Sequence, residues 1–129
     1  MIPERIIADT DLLVGYLIAD GSSEPALKKL MASSFCYTTV VSAAALFGYA
    51  ATARQRQSVY NLLGALKILG INARSAVLFG ELRRSSPHLG ADDCFIAGLA
   101  IESRLPLCTF SPERFSGVRN LRLYPASGL

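Results

Sequence analysis

The chain lacks any long apolar run. Its longest stretches, such as Leu12 to Ala19, run only eight or nine residues and include a glycine, whereas a membrane-spanning helix needs roughly twenty. The opening Met1-Ile2-Pro3-Glu4-Arg5 does not have the pattern of a secretory leader. A cytoplasmic protein with no membrane role is expected. Cysteine is scarce: Cys36, Cys94 and Cys108 lie in apolar contexts without Cys-x-x-Cys spacing. That excludes a disulfide framework and points to reduced, buried thiols. The one histidine, His88, reads as an ordinary loop residue. Repeats, linkers and low-complexity segments are absent, so one domain over residues 1–129 is expected. Charge of one sign is also lacking. Thirteen basic residues against ten acidic leave +3, which is compatible with a nucleic-acid partner without establishing one.

What is present is apolar residue in quantity, 51% of the chain. A domain of this length buries roughly two-thirds of its unfolded-chain surface and needs no covalent staples. Ile6–Asp9 reads as a buried strand and Leu12–Ala19 as a largely buried helix. Ser22 or Ser23 is placed to cap a helix over Glu24–Met31. Phe35–Val41 has the aromatic and β-branched content of a second strand. Ser42 is then placed to cap an alanine-rich helix, and Gln57–Lys67 is amphipathic through Val59, Leu62, Leu63 and Leu66. Ile68–Ile71 is a brief strand. Asn72 suits a helix cap for Ala73–Arg84, with apolar positions at Ala76, Val77, Phe79 and Leu82. Asp92–Arg104 is a helix of small and apolar residues. Pro106–Thr109 and Leu121–Tyr124 complete five strands.

Short apolar strands alternating with helices predict βαβ units. The expected fold is α/β, three-layer α/β/α, with a central parallel sheet of about five strands in a Rossmann-like arrangement. Ligand sites in such sheets lie beyond the carboxyl ends of the strands. That rule gathers Asp9, Ser42, Asp93 and the Thr109-Phe110-Ser111 segment at one edge. Four of the ten acidic residues fall in two clusters, Asp9/Asp11 and Asp92/Asp93. Brought together, they form a like-charge pocket that is costly unless a hard cation neutralises it. Capping alone accounts for Asp11 or for one of Asp92 and Asp93, but not for the pairs together.

These segments resemble a known family. Ile7-Ala8-Asp9-Thr10-Asp11-Leu12-Leu13 is similar to the opening strand of PIN-domain nucleases, in particular VapC-like toxins of toxin–antitoxin pairs. Gly90-Ala91-Asp92-Asp93-Cys94-Phe95-Ile96-Ala97-Gly98-Leu99-Ala100 resembles their third motif. Leu105 to Phe115 resembles their last motif, a strand followed by Thr-x-(Asp/Asn)-x-x-x-Phe. Val118 to Tyr124 resembles the closing strand. The likeness covers nearly the whole chain in the right order. It implies an endoribonuclease using Mg²⁺ or Mn²⁺, with Asp9 and Asp93 as metal ligands. Asp11, Asp92, Thr109 and Ser111 would be further catalytic positions. The implied partners are an RNA substrate, a second copy of the chain in a homodimer, and a small antitoxin whose C-terminal segment occludes the acidic pocket. Arg54, Arg56, Arg83, Arg84 and Arg114 are candidates for the RNA backbone, and the helices between Gln57 and Arg84 for a dimer or partner face.

The sequence also departs from that family. The glutamate expected after strand two falls at Ala44 or Ala45, and the last acidic position is Ser111. A catalytically degenerate PIN domain, serving as a binding or regulatory module, is therefore the alternative. Asp9-Thr10-Asp11 also mimics the nucleophile motif of haloacid-dehalogenase-like phosphatases, although Leu12-Leu13 stands where small or β-branched residues are expected in those enzymes. A receiver domain needs a mid-chain aspartate, and no aspartate lies between Asp20 and Asp92.

Overall fold

The computed structural model, covering Met1–Leu129, has five parallel strands: β1 (Arg5–Ala8), β2 (Phe35–Thr39), β3 (Lys67–Leu69), β4 (Leu107–Thr109) and β5 (Leu123–Pro125). The helices are α1 (Thr10–Leu17), α2 (Ala26–Ser33), α3 (Val40–Tyr49), α4 (Ala53–Leu63), α5 (Ala73–Ser85) and α6 (Ala91–Ser103). Sheet order is β3-β2-β1-β4-β5. The first strand is thus the central one. Ile7 pairs with Tyr37 on one side and Leu107 on the other. A strand covered on both faces needs an apolar sequence rather than an alternating one, and Ile6, Ile7 and Ala8 are fully buried.

Two apolar clusters lie on opposite faces of the sheet, as the alternation of side chains along β1 requires. Ile6 and Ala8 join Leu12, Leu13, Leu27, Leu30 and Leu62. Ile7 joins Leu82, Ile96, Ala97, Leu107 and Phe115. The predicted three layers are therefore present. No helix is long and apolar enough to cross a membrane. Cys36, Cys94 and Cys108 are free and buried. Burial raises all three thiols, Cys36 to about 11 and Cys108 to about 12.

Several local expectations are corrected. Asp9 is not in β1 but comes directly after it, as the N-cap of α1. Helix α2 begins two residues later than expected, behind Pro25 and without a side-chain cap; the Asp20 carboxylate instead accepts from Ser22 N–H and closes the preceding turn. Thr39, not Ser42, caps α3, with its hydroxyl accepting from Ser42 N–H at 3.1 Å. Helix α4 starts earlier than its apolar stripe, because Thr52 and Gln55 form a capping box. Gly90 caps α6, leaving Asp92 and Asp93 free of capping duty. On α5 the inward positions are Ser75 and Leu82, with Phe79 half-buried, whereas Val77 is exposed. Phe79 stacks on Phe95 of α6 with ring centroids 3.5 Å apart. The Ser75 hydroxyl donates to Glu102 at 2.6 Å, a polar tie that apolar periodicity does not reveal.

Candidate active site

β1 and β4 are neighbours, and the strand order reverses between them. Their carboxyl ends therefore form the crevice where such sheets bind ligands. Asp9 leaves β1 and Thr109 ends β4. Asp9 is 1% exposed, so its charge has to be met by neighbours. Oδ1 accepts from Thr10 N–H at 2.8 Å. Oδ2 accepts from the Thr109 hydroxyl at 2.8 Å and from the Arg114 guanidinium.

Thr109 is the hub of the cluster. Its hydroxyl lies 2.8 Å from Asp9 Oδ2 and 3.1 Å from Asp11 Oδ2, and it accepts from Ser111 N–H at 3.1 Å. One hydroxyl carries one proton, so the two carboxylates compete for it. Asp11 Oδ2 also takes Phe110 N–H at 3.1 Å. Asp11 Oδ1 is buried and has no partner. Burial, reinforced by the Asp9 charge, raises the Asp11 carboxyl above its ordinary value, against the hydrogen bonds from Thr109 and Phe110.

Asp93 approaches from α6, in the first turn. Its Oδ1 lies 3.6 Å from Arg114 Nη1, while Arg114 Nη2 holds Asp9. Burial raises Asp93, and the guanidinium opposes the shift. Arg114 belongs to a 3-10 turn, Pro112–Phe115, directly after the Thr109 hub.

The sequence-predicted residues thus separate into groups. Asp9, Asp11, Asp93 and Thr109 come together. Ser111 contributes its backbone N–H to the hub. Asp92 is exposed and enters neither ion pair of the site. Of the five candidate arginines only Arg114 pairs with the site carboxylates. A chain of hydroxyls was not anticipated: Thr39 Oγ1 donates to Ser42 Oγ at 3.2 Å, and Ser42 Oγ lies 2.8 Å from Thr10 Oγ1. It ties the start of α3 to the start of α1. Ala44 is exposed and Ala45 half-buried in α3, so neither brings a carboxylate to the site.

No three acidic, histidine or cysteine side chains converge at metal-ligand spacing. Asp9 and Asp93 nonetheless reach the same cationic group, so the position between them suits one positive charge. Mg²⁺ commonly uses one or two carboxylates and completes its shell with water. The donor set fits a single hard cation on those terms, with the guanidinium as its stand-in.

A parallel sheet ordered 3-2-1-4-5, with an acidic cluster at the strand ends where its order reverses, defines an α/β protein with its candidate site at the switch point. The chain belongs to the PIN-domain family, which matches residues 6–120. Solved structures agree in fold. VapBC2 from Rickettsia felis, bound to a DNA fragment from its promoter, is similar with a TM-score of 0.77 and 23% identity, covering 94% of this chain and 98% of that one. DNA-bound VapBC from Salmonella typhimurium gives 0.78 and 19%, covering 96% and 99%. FitAcB from Neisseria gonorrhoeae gives 0.76 and 16%, also covering 96% and 99%. None of the curated proteins matches the chain. The receiver alternative falls on topology, since that fold has strand order 2-1-3-4-5, and the phosphatase alternative falls on the family match.

Proposed function

We propose that this chain is a single PIN unit acting in the cytoplasm as the RNA-cleaving toxin of a toxin–antitoxin pair. Mg²⁺ or Mn²⁺ would be held by Asp9 and Asp93. The observation that carries this reading is the shared cationic partner of those two carboxylates, at the strand ends where the sheet order reverses. The ion, when bound, supplies an activated water and neutralises charge on the scissile phosphate. Thr109 and Thr10 N–H orient the Asp9 carboxylate. Asp11 adds negative charge beside Asp9 and keeps one oxygen free of hydrogen bonds. Ser111 fixes the Thr109 hydroxyl through its backbone.

Ala44 and Ala45 remove the glutamate that the family likeness implies. Loss of an outer-shell partner costs about 10–100-fold in metal affinity or activity, so cleavage is expected to be slow. The same alanines favour a second reading, a PIN module that binds without turnover.

Surface and neighbours point to the partners. Similar structures are toxin–antitoxin assemblies. An apolar groove of about 520 Å³ runs between α1, α3 and α4, lined by Val14, Leu17, Ile18, Leu46, Tyr49 and Val59. It supports docking of an antitoxin helix. Tyr60 on α4 and Val77 on α5 leave apolar surface exposed and support a homodimer face.

The test is RNA cleavage by purified protein with Mn²⁺, beside Asp9→Asn, Asp93→Asn and Ala45→Glu. Slow cleavage is expected, abolished by either asparagine and raised by the glutamate. Intact RNA at high protein concentration, with a melting temperature indifferent to Mn²⁺, would leave only the binding module.

A further inference from the structure

Asp9 and Asp93 are met by a cation that the chain itself supplies. Nη2 of Arg114 pairs with Asp9 Oδ2, and Nη1 faces Asp93 Oδ1. Those are the two carboxylates that would hold a divalent ion in the proposed site. A guanidinium and a divalent ion cannot both stand between these carboxylates, because they compete for the same oxygens and repel each other. We infer that Arg114 is the site's internal counter-ion and sets how tightly a divalent cation binds. This rests on the proposed metal site at Asp9 and Asp93.

The surrounding structure suits an exchange. The backbone of Arg114 is pinned, since its N–H donates to Ser111 O at 3.1 Å and the adjoining Phe115 is buried in the core. The side chain is not enclosed; it is 39% exposed, whereas that of Asp9 is 0% exposed. Its only other partner is the Phe115 ring, 5.0 Å from the guanidinium carbon. A rotation about side-chain bonds therefore frees the carboxylates without moving the turn. The fold accordingly needs no bound ion to tolerate its acidic pair, because the pair is already neutralised in part. Metal affinity, in turn, is weakened by whatever holds Arg114 in place.

Mn²⁺ binding measured by calorimetry and by loss of the free-ion electron paramagnetic resonance signal tests this without reference to cleavage. The proteins are the full chain, Arg114→Ala, Arg114→Gln and, as a control, Arg119→Ala, which removes an exposed charge from the next loop. Arg114→Gln keeps a donor for buried Asp9 and guards against a variant that fails to fold. Both Arg114 variants are expected to bind Mn²⁺ about tenfold tighter or more, the size of effect that groups adjoining metal ligands have, with the sign reversed because Arg114 competes with the ion instead of supporting its ligands. Arg119→Ala should stay near the full chain, and adding Asp93→Asn to Arg114→Gln should cancel the gain. Mn²⁺ should raise the melting temperature of the Arg114 variants more than that of the full chain. Equal or weaker binding by the Arg114 variants overturns the inference while leaving the metal site standing. An equal gain in Arg119→Ala overturns it in favour of a general charge effect. If neither the full chain nor any variant binds Mn²⁺, the metal-site reading falls and takes the inference with it.

Discussion

Replacing Thr109 with valine removes one hydroxyl and almost no volume, at the point where two carboxylates meet. Thr109 is fully buried, so water cannot take the hydroxyl's place. The lost interactions are a 2.8 Å hydrogen bond to ionised Asp9, the 3.1 Å contact to Asp11, and an acceptor for Ser111 N–H. A hydrogen bond to a charged group contributes about 1.5–3 kcal/mol, and a stranded donor adds to the loss, so ~3 kcal/mol is expected. For 129 residues the unfolding entropy is about 0.27 kcal/mol/K, which converts that loss into a fall in Tm of about 11 °C. Thr109→Ser keeps the hydroxyl and loses a methyl group. Its cost is about 1 kcal/mol, or about 4 °C. Differential scanning calorimetry at pH 7 measures both. If the valine variant melts as high as the serine variant, the hydroxyl is not the hub and the account of how Asp9 is oriented fails.

Three further outcomes are expected. The folded-state value of Asp11 lies above the ordinary 3.8, so its contribution to stability is fully present below that pH and is lost as pH rises through the folded value. Asp11→Asn should therefore raise Tm at pH 7 by a few degrees and lose that advantage below about pH 4; a lower Tm at pH 7 would show that the carboxylate's hydrogen bonds outweigh its charge. Thr52→Ala breaks the α4 capping box and should cost about 1 kcal/mol, or about 4 °C in the same calorimetric scan. The thiols of Cys36 and Cys108, pushed up to about 11 and about 12, should resist Ellman's reagent at pH 8 until denaturant is added; fast reaction in buffer would contradict their burial.

The five strands were legible as short apolar runs alternating with helices, but their bounds were not: β2 stops at Thr39, where Val40 and Val41 already belong to α3, and β3 and β5 sit one or two residues from their expected places. Asp9 stood out because it closes a buried apolar run, although its place as the N-cap of α1 was not foreseen. Helix starts were harder to place. Ser42 looks like a cap in sequence, but Thr39 is one turn earlier and its hydroxyl reaches the open N–H. Asp92 and Asp93 are equivalent as letters. Helical spacing turns one toward Arg114 and leaves the other in solvent. Arg114 was one of five arginines with nothing local to distinguish it. The distinction is tertiary, since its partner Asp9 is 105 positions away, and only the closing of β4 against β1 brings them together.

That separation has a consequence in time. The strand that becomes the middle of the sheet is made first, and the hub that orients its carboxylate lies 100 positions later. At synthesis rates of about 5–20 residues per second, Asp9 waits roughly 5–20 s for Thr109. During that interval the nascent chain carries Asp9 and Asp11 but has no pocket. The assembled site can exist only in a chain that is nearly finished, so truncated products that end before β4 contain the first carboxylates and none of the arrangement that would let them act.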